Sequence, residues 1–166
     1  NKIIQNQCNC ELLAADGGGV LAESVEGIPG SVFLINNTIS FNTLTGEDRV
    51  RGGGVCILYS HAIVRNNRIS HNSQTGNTAN GCGILFRYAA STILTDNLIS
   101  YNVANTGNIY VGTACLCALP DGPIQIENNE FSYNTGPMEV TTGTGIGLGI
   151  LDAIDEPITI NANIFM

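Results

Sequence analysis

Six side chains in this chain have the types and the spacing to act together: Arg65, Arg68, His71, Asp96, Glu127 and Glu130. Aligned on a repeat of about 30 residues, Arg65 falls beside Thr95 and Glu127, and Asn66 beside Asp96 and Asn128. Arg68 falls beside Leu98 and Glu130. Two carboxylates on neighbouring repeats lie within reach of one substrate for acid–base work on a sugar. An arginine on the same face can hold a uronate carboxylate through two parallel N–H bonds. The simpler reading is an exposed face whose charges pair across strands, each pair contributing a few tenths of a kcal/mol.

What must position these residues is the repeat itself. Asn1, Asn37, Asn67, Asn97, Asn129 and Asn163 each precede a large apolar residue by two positions, at intervals of 36, 30, 30, 32 and 34 residues. A second asparagine follows five residues later at Asn6, Asn42, Asn72, Asn102 and Asn134. Self-similarity at such a period marks a solenoid. Upstream of the first asparagine the pairs Val32/Leu34, Ala62/Val64, Thr92/Leu94, Ile124/Ile126 and Ile158/Ile160 alternate with mostly polar residues, the pattern of a half-buried strand. A second short strand carries Ile3, Ile39, Ile69, Ile99, Phe131 and Phe165. A third opens on glycines, as in Gly17-Gly18-Gly19-Val20, Gly52-Gly53-Gly54-Val55, Gly81-Cys82-Gly83-Ile84 and Gly143-Thr144-Gly145-Ile146.

Nothing in the pattern has helical periodicity. The expected fold is therefore all-β: a right-handed, single-stranded parallel β-helix of about five coils of 30–36 residues. Each coil should carry three short strands, with parallel crossovers of the usual hand. Length differences fall in two connections, one between the second asparagine and the glycines and one after the glycine strand. Asn37, Asn67, Asn97, Asn129 and Asn163 should stack at one turn, their amides bonding from coil to coil and satisfying turn backbone groups. Asn36-Asn37-Thr38 is a glycosylation sequon, blocked if Asn36 packs inside that turn.

Composition narrows the partners. Only 12% of residues are charged, Asn and Gly number twenty each, and the net charge is −8. Such a chain has no basic stripe for nucleic acid. No apolar run approaches the ~18 residues of a membrane span, so this segment is not expected to insert into a bilayer. Phe41, His71, Tyr101 and Tyr133 share one repeat position, as a stacked buttress or as a platform for sugar rings. His61 and His71 lack a metal constellation, and no cofactor is implied. Cys115 and Cys117 fall at core positions of the third strand, while Cys8 and Cys10 read as loop residues open to oxidation. Neither end reads as a solenoid cap, so residues 1–166 are expected to be an excerpt of a longer array, with end-to-end self-association as one outcome.

The repeat resembles that of the pectin-lyase-like superfamily of right-handed β-helices, which includes pectate lyases, polygalacturonases, mannuronan epimerases, phage tailspikes and adhesins. Gly52-Gly53-Gly54-Val55 with Phe131-Ser132-Tyr133-Asn134 is similar more narrowly to chlamydial polymorphic outer-membrane proteins and related surface passenger domains. Ile39, Ile69 and Ile99 replace the aromatic of that motif in other coils. The Asn-Thr-Asp, Asp-Asp, His-Gly and Arg-X-Lys motifs of the polygalacturonases do not occur, nor does the Arg-Pro-X-X-Arg motif of the pectate lyases. The resemblance implies an extracellular or cell-surface solenoid, structural or adhesive, that meets a polysaccharide or a surface ligand. The alternative it implies is a lyase, hydrolase, epimerase or binding module acting on an acidic polysaccharide.

Overall fold

The computed structural model describes residues 1–10, 14–109, 113–136, 148–151 and 157–166. Every named strand pairing is parallel, and each joins a strand to its counterpart one repeat away. The strands stack into four sheets. Sheet I holds Gly30–Ile35, Ser60–Arg65, Ser91–Thr95, Ile124–Glu127 and Ile158–Asn161. Sheet II holds Lys2–Ile4, Thr38–Ser40, Arg68–Ser70, Leu98–Ser100, Glu130–Ser132 and Ile164–Phe165. Sheet III contains Ser73–Asn80 and Val103–Ile109, with two shorter strands in each of the earlier coils: Gln7–Cys10 and Ala14–Asp16, then Thr43–Gly46 and Arg49–Arg51. Sheet IV is the glycine strand: Val20–Glu23, Val55–Leu58, Ile84–Arg87, Cys115–Ala118 and Leu148–Leu151.

Sheet III corrects the expectation of three strands per coil. The segment between the second asparagine and the glycines, read from sequence as a connection of variable length, is a fourth strand. Its residues, such as Ser73-Gln74-Thr75-Gly76, have no apolar alternation. Main-chain pairing with the coils on either side holds them extended instead. Cys8 and Cys10 are corrected with it. They lie on a strand, in register with Leu44 and Gly46, and pack half-buried against the core cluster that contains Leu44 and Val50. The Gly143–Ile146 strand lies outside the described residues.

The core follows from alternation. Val64, Leu94 and Ile126 form one buried column, Ile39, Ile69, Ile99 and Phe131 a second, and Ile57, Phe86 and Cys117 a third. Glycine matters where coils approach closely. A Cβ on Gly54 would stand 2.6 Å from the Gly83 carbonyl oxygen and 2.8 Å from Asn72 Nδ2, inside any tolerable contact.

Most corners of the described coils turn on a residue in the left-handed region. Asn36, Asn66, Asp96, Asn128 and Ala162 hold it between sheets I and II, with φ from 51 to 58°. Phe41, His71, Tyr101 and Tyr133 hold it between sheets II and III, with φ from 53 to 57°. For a bulky L-residue this conformation costs roughly 1–2 kcal/mol. Ring stacking at 4.7–4.9 Å between successive coils offsets the cost here, since such pairs contribute about 0.5–1.5 kcal/mol each.

Candidate functional site

The six candidate residues straddle two corners. Arg65 ends its sheet I strand in register with Thr95, and Thr95 is in register with Glu127. Asp96 occupies the left-handed corner position immediately after Thr95. Arg65 Nε lies 3.3 Å from Asp96 Oδ2, an ion pair open to solvent at both ends, with side-chain exposures of 59% and 37%. Arg68 sits across the turn on sheet II, in register with Leu98, which is in register with Glu130. One Glu130 oxygen accepts a hydrogen bond from Ser132 Oγ at 2.9 Å. His71 is at the next corner, its ring held between Phe41 and Tyr101 at 4.7 and 4.9 Å.

The register thus reproduces the columns, but the side chains do not meet around one point. Arg65 and Asp96 neutralise each other, and His71 is separated from them by the width of sheet II. Two other basic residues are also engaged. Arg51 makes a two-pronged pair with Asp16, Nε to Oδ1 at 2.5 Å and Nη2 to Oδ2 at 2.5 Å. Arg87 lies with its guanidinium carbon 4.7 Å from the Tyr88 ring centroid. Among the described residues, no group of three His, Cys, Asp or Glu side chains is placed to hold a metal ion.

The asparagines behave differently from the charged residues. Asn37, Asn67, Asn97 and Asn129 are buried, and each Nδ2 donates to Oδ1 of the asparagine one coil on, at 2.9–3.1 Å. The same oxygens accept the backbone N–H of the preceding asparagine. Asn42, Asn72, Asn102 and Asn134 form a parallel second ladder on the same plan. Asn36 is exposed at its corner while its neighbour Asn37 is buried, so the acceptor side chain of the sequon projects into solvent.

Sequence reasoning missed three surface features. Phe33, Ile63 and Ile93 form an outward apolar column on sheet I, with Phe33 63% exposed. His61 Nδ1 lies 2.9 Å from Ser91 Oγ across neighbouring strands. Tyr59 and Tyr88 stack at 5.0 Å on the corner between sheets IV and I, beside a shallow groove. The signal for the tyrosines was present, because each follows the last glycine of its strand by five residues.

Buried thiols complete the interior. Cys82 is fully enclosed, and burial pushes its thiol up to about 12. Burial likewise raises Cys56, which is outside the sheet IV core but still covered, and Cys115.

Four stacked parallel sheets closed by left-handed corners and two amide ladders define a parallel β-solenoid. A model of the family described as "Right handed beta helix region" matches residues 2–166, and the chain belongs to that family. Neither a curated protein nor a solved structure matches it. The narrower likeness to surface passenger domains rests on its Gly-Gly-X-aliphatic and aromatic-X-X-Asn residues alone.

Proposed function

We propose that this chain is a non-catalytic β-solenoid of the extracellular space or cell surface, a stiff rod that is structural or adhesive. The observation that carries the reading is the Arg65–Asp96 ion pair. Two of the charges that would have to serve an acidic polysaccharide are paired with each other on an exposed corner. Glu130 is bonded within its own strand, and His71 is committed to a ring stack. The polar investment of the fold lies instead in buried amide ladders, which stiffen the coil and carry no chemistry. Low charge, Asn and Gly richness and the likeness to surface passenger domains support the location.

Electron microscopy of the source protein, beside a screen for cleavage of pectin and alginate, tests the reading. Rods or filaments without cleavage are expected. Release of unsaturated or reducing ends that disappears in Asp96→Ala or Glu127→Ala would establish the enzymatic alternative.

A further inference from the structure

The corner between sheets I and II carries Asn36, Asn66, Asp96, Asn128 and Ala162 in successive coils. Two residues further on stand Thr38, Arg68, Leu98, Glu130 and Ile164, in one register on sheet II. Of these five corners, only that of Asn36 is followed by a hydroxyl at this spacing. Asn36 is exposed, and its backbone N–H donates to Arg65 O at 3.1 Å. The amide ladder takes its neighbour instead: Asn37 Oδ1 accepts from Asn1 Nδ2 at 3.2 Å and Asn37 Nδ2 donates to Asn67 Oδ1 at 3.1 Å. Because Ile39 points into the core, Thr38 before it faces outward. The fold thus leaves the amide and the hydroxyl of Asn36-Asn37-Thr38 on the outside and buries the residue between them.

The same coil differs from the others on sheet I. Phe33 and Ile35 alternate with Val32 and Leu34, which pack against the core, and so face outward, 63% and 43% exposed. In the column of Ile35 the later coils carry Arg65, Thr95, Glu127 and Asn161, all polar. In the column of Phe33 they carry Ile63, Ile93, Gln125 and Thr159, none with a ring. Ile35 adjoins Asn36, and Phe33 lies about 10 Å from it along the strand, a distance that a disaccharide spans. A pyranose has a face of C–H groups that covers apolar side chains, its hydrogens lying on the negative face of an aromatic ring. The coil with the acceptor pair is therefore also the coil with an apolar bed beside it.

We propose that Asn36 is an N-glycosylation site whose first sugars lie over Ile35 and Phe33. The donor is an oligosaccharide carried on a lipid pyrophosphate. Asn36 Nδ2 forms a bond to the anomeric carbon of the first sugar, and the bond from that carbon to the pyrophosphate oxygen breaks. The lipid pyrophosphate leaves with the electron pair, and one amide proton passes to a base of the transferase. The Thr38 hydroxyl is the group the transferase reads. The proposal rests on the extracellular reading above, because this transfer takes place on the side of the membrane away from the cytosol.

Mass spectrometry of the source protein, before and after treatment with peptide N-glycosidase, tests it. The peptide containing residue 36 should carry hexosamine and hexose masses, and the enzyme should leave aspartate at that position. Thr38→Ser should keep the glycan, whereas Thr38→Val and Asn36→Gln should lose it. Protein recovered from outside the cell with a bare Asn36 overturns the proposal and leaves the location standing. Protein found only in the cytosol overturns the location. The source chain directed through a eukaryotic secretory pathway then decides Asn36 by itself: a glycan there supports the site, and a bare asparagine overturns it. The packing is read by comparing the glycosylated chain with the same chain made while synthesis of the lipid-linked donor is blocked. Hydrogen exchange at the Asn36 amide should be about fivefold slower with the glycan, the factor a contact of modest strength supplies. The difference should vanish in Phe33→Ser. No difference in the parent, or an equal one in Phe33→Ser, overturns the contact with Phe33.

Discussion

Replacing Asn72 by alanine removes one rung from the middle of the second amide ladder, and its cost can be counted bond by bond. Asn72 Oδ1 accepts the Asn42 backbone N–H at 3.1 Å and Asn42 Nδ2 at 2.9 Å. Asn72 Nδ2 donates to Ile39 O at 3.1 Å and to Asn102 Oδ1 at 3.0 Å. All four bonds are buried. At about 1 kcal/mol per net hydrogen bond the loss is ~4 kcal/mol, and orphaned buried donors push it upward rather than down. The neighbouring-corner substitution Asn66→Gly is the control: same residue type, exposed, with φ of 58° that glycine accepts freely. It should change stability by less than about 0.5 kcal/mol. Because solenoids need not unfold in one step, urea denaturation should be paired with hydrogen exchange. The Asn42 amide should lose protection in Asn72→Ala while the Asn37 amide, on the other ladder, keeps it. A destabilisation under about 1 kcal/mol, or unchanged exchange at Asn42, would refute the ladder's energetic role.

Gln74 is fully buried with both amide atoms unpartnered, in register with Leu44, so Gln74→Leu should raise stability by about 1–3 kcal/mol in urea titration. Arg65→Ala should cost under about 1 kcal/mol because the Asp96 pair is solvent-exposed, and a loss above 2 kcal/mol would mean the corner is doing more than pairing charges. Cys82 stays protonated in the fold to about pH 12, whereas an unfolded thiol ionises near pH 8.5. Above that pH the unfolded chain binds fewer protons than the native one, so stability falls as pH rises, by up to about 1.4 kcal/mol per pH unit per thiol. Urea midpoints between pH 8 and pH 10 should therefore decline less steeply in Cys82→Ala than in the parent.

How much of this was readable in advance depended on whether a residue had to repeat. Asn37, Asn67, Asn97 and Asn129 fill one slot in every coil, and any other side chain would leave the turn backbone unpaired, so the period and the register are written in the letters. The fourth strand is not. Ser73-Gln74-Thr75-Gly76 would be a loop in any other setting, and only the parallel neighbours on both sides make it a strand. Alignment placed Arg65, Thr95 and Glu127 correctly in one column, yet it could not tell that Arg65 turns to the adjacent corner and meets Asp96, because that depends on the left-handed conformation at residue 96.

The amide ladders have one further property, which is electrical. In both of them every bonded Oδ1 faces the lower-numbered coil and accepts from its asparagine, so the amide C=O groups are aligned along the axis, although each Nδ2 also donates back to a carbonyl of the coil before, as Asn72 does to Ile39 O. The side-chain dipoles therefore add rather than cancel, as peptide dipoles do in a helix, where each contributes about 3.5 D. Chains of hydrogen bonds also polarise one another, strengthening each link by about 10–30%. The solenoid thus carries a permanent dipole whose moment grows with every coil, positive toward the high-numbered coils. Two such solenoids laid side by side lower their electrostatic energy by running in opposite directions.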